Sequence, residues 1–111
     1  MRMNRQQQLD QFSLAVHRQA LAAVRREPAL REQARQTLAR WRQQSGATRS
    51  DVLWDEWDQL LAGEVSALEN AALVESDHGQ LLRSVSPLGG LVSQSERMAL
   101  LKQAREHAAL Q

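Results

Sequence analysis

The stretch from Leu38 to Leu61, LARWRQQSGATRSDVLWDEWDQLL, constrains this chain more than any other. Two runs with helical apolar spacing meet across a short break between Ser45-Gly46 and Ser50-Asp51, and all three tryptophans, Trp41, Trp54 and Trp57, fall on its two sides. So short a break folds its flanking helices back against each other, which predicts a helical pair closed on one aromatic cluster. Trp41 and Trp57 are expected to be buried and close together across the turn, with Trp54 flanking them.

The remaining sequence supports helices throughout. Ala, Leu, Gln, Arg and Glu, all inexpensive in a helix, dominate, and only two prolines and five glycines interrupt them. No alternating β-branched run predicts a strand. The expected fold is all-α, a compact bundle of about five to six helices with no sheet. The 111 residues suffice for one domain, read as a frayed N-terminal segment over 1–8 and a single helical domain over 9–111.

In chain order, a first helix is expected from Asn4 to Arg26. It carries one apolar stripe, Leu9, Phe12, Val16 and Ala20, and a second, Leu14 and Leu21. A helix apolar on two sides either sits at the centre of a bundle or has a partner outside it. Terminal helices seldom sit at the centre, so the expectation is an exposed patch near Leu14, Leu21 and Leu100 that another protein or a second copy covers. Pro28 starts a second helix running to Gln44, stopped by Gly46. Ser50 or Asp51 caps a third, ending at Gly63; a fourth spans Glu64 to Glu75, and Ser76 caps a fifth, Asp77 to Val85. Ser86-Pro87-Leu88-Gly89-Gly90-Leu91 is irregular, with Pro87 and Leu91 expected against the third or last helix and Arg97 pointing back to the loop. Ser93 and Glu96 form a capping box that opens the last helix.

The net charge of +1 hides a split. Residues 1–50 hold ten Arg against three acids, and residues 51–111 hold four basic residues against ten acids. Either the basic helices pack beside the acidic ones and cancel them, or Arg18, Arg25, Arg31, Arg35 and Arg42 form a face for nucleic acid or an acidic partner. The helix after the Trp-bearing turn begins with Asp51, Asp55, Glu56 and Asp58, which phosphates repel, so a helix-turn-helix reading lacks its recognition helix.

No catalytic site is legible, and no enzyme is expected. His17, His78 and His107 are scattered without zinc-binding spacing, so no metal site is predicted. Glu75, Asp77 and His78 read as an exposed helix start. Ser84, Ser86, Ser93 and Ser95 lack the context of a nucleophile and read as turn and cap residues. No cofactor motif is present. Without cysteine, a secretory leader or an apolar run of membrane-spanning length, the expected location is cytoplasmic with no membrane contact.

The run LLRSVSPLGGLVSQSER resembles a block, LRQxSPFxGxLxxxER, of small bacterial all-helical proteins. Its matching residues are Arg83, Ser86, Pro87, Leu88, Gly90, Leu91, Glu96 and Arg97, with departures at Val85 and at Leu88, where an aromatic is usual. LAVHRQAL, EPALREQARQTLARW and WDEWDQLL resemble the other blocks in order, over roughly residues 12–100. The resemblance implies an antitoxin-like protein that neutralises the product of a neighbouring gene by direct contact. The partner site would include Arg83, Ser86, Pro87, Leu88, Gly90, Leu91 and Arg97. The alternative is a DNA-associated regulator using the arginine face, and self-association is compatible with either.

Overall fold

A computed structural model describes residues 3–109. The long first helix is its axis. Helix α1 (Arg5–Arg26) starts at a capping box in which the Gln7 amide donates to the Asn4 side chain and the Asn4 amide to that of Gln7. Residues 5–8, expected to fray, are helical. It is followed by α2 (Leu30–Ser45), α3 (Asp51–Ala62), α4 (Val65–Leu73), α5 (Asp77–Ser84), a 3-10 helix (Pro87–Leu91) and α6 (Gln94–Ala109). The fold is an all-α bundle of six α-helices, and the described residues contain no strand. Among them, no helix is long and apolar enough to cross a membrane.

Helix α1 packs against α2, α4, α5, α6 and the 3-10 helix. This corrects the expectation of an external patch: Leu14 and Leu21 are buried inside the chain, and Leu100 packs half-buried against the core. The physical reason is that three of these elements, α4, α5 and the 3-10 helix, are too short to bury a core among themselves, so with α2 and α6 they wrap α1 and cover its second stripe. Leu9, at the open end of the first stripe, is the position left exposed.

The tryptophans also depart from expectation. Trp57 is fully buried, but Trp41 lies against Trp54, with ring centroids 6.3 Å apart, while Trp57 stacks on His17 of α1 at 6.5 Å. Trp54 and Trp57, three positions apart, share one side of α3 and both belong to the core, Trp54 facing Trp41 of α2 and Trp57 facing His17 of α1. Their indole N–H groups donate to the carbonyls of Val85 (3.1 Å) and Leu82 (2.9 Å) at the end of α5. Other helix ends are satisfied in the same manner, by a long side chain from elsewhere. Arg31 Nη1 donates to the Gly63 carbonyl after α3 (2.7 Å) and Arg83 Nη1 to Ala72 (3.0 Å) and Val74 (2.8 Å) at the end of α4.

Local signals fix the remaining boundaries. Gly46 ends α2 at φ 64°, a left-handed conformation natural to glycine. Pro28 sits in a turn ahead of α2 rather than starting it, and the Leu30 amide bonds the Glu27 carbonyl at 3.0 Å. Ser50 makes no side-chain cap; the Asp51 carboxylate instead accepts from the Thr48 amide (3.2 Å). Ser76 caps α5 through the Gly79 amide (3.0 Å), and Ser93 and Glu96 form the expected box (3.0 and 3.1 Å). Gly79 has to be small, since a Cβ there would lie 2.1 Å from the Val74 carbonyl.

Candidate functional site

The irregular stretch is ordered, but it sits between α1 and α2 rather than against α3 or α6. Pro87 begins a short 3-10 helix, where its missing N–H costs nothing, and Ser86 caps it by accepting from the Leu88 amide at 3.0 Å. Pro87 and Leu88 are buried as an apolar plug, and Leu91 is half-buried. Leucine at position 88 thus lies wholly in the core, where size and polarity matter more than aromaticity.

This plug positions one face of the loop over α1. There Ser86 and Gly89 join Arg83 and Ser84 from α5, Arg97 from α6, and Phe12, Ser13, Val16 and His17 from α1 around an open cleft of about 260 Å³. Of the residues expected to bind a partner, Arg83, Ser86 and Arg97 therefore meet in one recess. Pro87 and Leu88 form its support, and Gly90 is exposed outside it. Arg97 points back to the loop as expected, donating from Nη2 to the Gly89 carbonyl at 3.2 Å.

Electrostatically the cleft is unbalanced. Arg83 is only 6% exposed, and its burial lowers its pKa, though Asp10 and Glu75 at longer range oppose that shift. Neither Arg83 nor Arg97 has an ion pair among the described residues. His17 is 4% exposed. Its Nδ1 lies 2.7 Å from the Ser13 carbonyl, which can only accept, so Nδ1 carries a hydrogen and Nε2 is a bare acceptor, buried with no partner. Desolvation holds the imidazole pKa below its ordinary value; the Ser13 carbonyl opposes this, and the charges of Arg83 and Arg97 reinforce it.

His17 was not among the site residues expected from the sequence, where it stood as one of three scattered histidines. Its signal was its place on the second stripe of α1: Leu14, His17, Leu21 and Val24 share one inward-facing line. Gly89 was passed over for Gly90 because adjacent glycines differ only in which way the folded loop turns them.

The arginine face is dispersed. Arg25 forms a two-pronged pair with Glu69 of α4 (2.7 and 2.6 Å), Arg42 bridges Asp55 and Asp58 of α3 (2.6 and 2.9 Å), and Arg35 lies 3.4 Å from Glu32. Arg31 is committed to the end of α3, and Arg18 is exposed. Basic and acidic helices therefore cancel each other along these contacts. His78 lies 2.8 Å from Glu56, and the described residues hold no group of three or more potential metal ligands.

Beside the cleft, Leu9 of α1 and Leu81 of α5, 50% and 54% exposed, line a groove of about 510 Å³ that shares Ser13, Arg83 and Ser84 with it. Compared with protein-family models, curated proteins and solved structures, the chain matches none.

Proposed function

We propose that this chain is a non-catalytic binding protein that acts by direct contact with another protein, antitoxin-like, the partner being the product of a neighbouring gene. The observation that supports this reading is the paired exposure of Leu9 and Leu81 along the α1–α5 groove. Two large apolar side chains on adjacent helices give a partner area to bury, and the polar groups around them supply a rim. The DNA-regulator reading has less support, since Arg25, Arg35 and Arg42 are paired within the chain and Arg31 is turned onto a helix end.

Co-expression with the adjacent gene product tests the reading, together with the molar mass of the isolated chain. The parent should copurify with the neighbour and block its activity. The double variant Leu9→Glu/Leu81→Glu should keep its helical circular dichroism and lose the complex. A parent chain that neither copurifies nor blocks, or a double variant that binds unchanged, removes this function.

A further inference from the structure

We propose that the cleft bounded by α1, α5, the 3-10 helix and α6 is a binding site for a phosphate oxyanion, free or as a phosphomonoester, held between Arg83 and Arg97 with its acidic hydrogen on His17 Nε2. The site does not rest on the partner-contact reading, and an isolated chain is expected to fill it.

Two independent deficits point to one ligand. The first is charge. A buried guanidinium is ordinarily matched by a carboxylate in direct contact, and Arg83 has none among the described residues, Asp10 and Glu75 acting on it only at longer range. Its hydrogen bonds to the end of α4 use Nη1 alone, and Arg97 commits only Nη2, to Gly89. Both guanidiniums line the cleft and retain nitrogens that no hydrogen bond among the described residues commits. Ser86 Oγ accepts from the Leu88 amide and keeps its own hydrogen to donate. The second deficit is the buried, unpartnered acceptor at His17 Nε2. An anion alone cures the first deficit, and only a hydrogen-bond donor cures the second.

A carboxylate or a sulfate near neutral pH has oxygens for the arginines but no hydrogen for Nε2. A phosphate group has both, because its second ionisation, at a pKa of about 6 for an ester, leaves part of the population protonated. Whether the hydrogen stays on phosphate or moves to Nε2, the complex holds one proton more than the dianion and the neutral imidazole did apart. The groups facing His17 are Arg83 from α5, Arg97 from α6, the Ser13 carbonyl on its own helix and the Trp57 ring from α3. In the empty cleft burial and the two arginines disfavour imidazolium; a bound oxyanion offsets the arginine charges and favours it.

The test follows the imidazole nitrogens of His17 by NMR while inorganic phosphate, sulfate or chloride is added at matched ionic strength near neutral pH. Phosphate should move the His17 signals and raise the melting temperature. Sulfate should do so only weakly until the solution is acid enough to protonate Nε2. Arg97→Gln should weaken phosphate roughly tenfold or more, as for loss of a hydrogen bond to a charged group, with circular dichroism unchanged. Gly89→Ala, whose Cβ would lie 2.6 Å from Arg97 Nη2, should weaken it by displacing that side chain. His17→Phe should abolish the preference for phosphate over sulfate. Tighter binding of a phosphoserine peptide than of inorganic phosphate identifies a protein-borne ester, and the reverse order a free ion; both uphold the site. Unmoved His17 signals, or equal responses to phosphate and sulfate near neutral pH, overturn it.

Discussion

On the α2–α3 side of the molecule, Arg42 reaches across the helical pair to two carboxylates in open solvent. On the α5–α6 side, Arg83 and Arg97 line a recess with no carboxylate to meet them. Arg42 resembles most surface pairs, whose attraction is weakened by water and salt and adds little to stability. Arg83 is a buried charge kept because it satisfies two carbonyls at the end of α4. Its position therefore answers to helix termination, and its remaining donors are left to the cleft. The contrast shows why counting charges along the chain misplaces the cleft: several of the abundant arginines of α1 and α2 are paired with acids at home, while Arg83 and Arg97 bond only carbonyls.

The largest effect expected is at the wall shared by the cleft and the core. Trp57→Ala removes a fully buried indole and the ring on which His17 stacks, and should cost about 3–5 kcal/mol in urea denaturation. Trp41→Ala, at a half-exposed ring, should cost clearly less; equal losses would mean that the α2–α3 turn, not the α1–α3 contact, carries the core. Next is Arg83→Met, which keeps the apolar stem but strips the Ala72 and Val74 carbonyls of their donor. A loss of about 2–4 kcal/mol is expected, each buried unsatisfied carbonyl costing about 1–3 kcal/mol. A Met variant as stable as the parent would erase the distinction between the two sides.

A smaller effect concerns acid. The folded-state pKa of His17 is lowered from its ordinary 6.5, so the unfolded chain takes the proton first as the pH falls. The contribution of neutral His17 is intact above about 6.5 and is lost as the pH drops toward the folded-state value. Denaturation midpoints measured across that window should fall with acid, and His17→Phe should flatten the fall. A parent midpoint that rises with acid over the same range would show that the imidazole is not held neutral. The smallest effect is expected for Arg42→Gln: a slight drop in midpoint that shrinks further with added salt. A loss rivalling that of Arg83→Met would overturn the contrast from the other side.

Much of the architecture was written locally. The capping box of Ser93 and Glu96, the stop at Gly46 and the Ser76 cap depend on residues within a few positions of each other, so spacing is enough to read them. The helical periods were equally plain, and with them the all-α bundle. The partner of Trp41 was not, because choosing between Trp54 and Trp57 requires knowing how α3 is rotated against α1 and α2.

The sequence by itself determined that this chain folds as short helices around strongly patterned faces, since backbone propensity, capping and the three-and-four spacing of apolar residues act over a single turn or two. It also determined that the SPLGG stretch interrupts them. Only the tertiary structure decided that α1 is the central helix, with Leu14 and Leu21 inside, and that His17, Arg83, Ser86 and Arg97 share one cleft. Those outcomes depend on how neighbouring helices cover one another, and an amphipathic pattern states that a face will be buried without stating against what. A stripe that looks surplus on one helix is core once five other elements wrap it, and a charge that looks ordinary in the sequence is left without an ion pair once the fold keeps Asp10 and Glu75 at longer range.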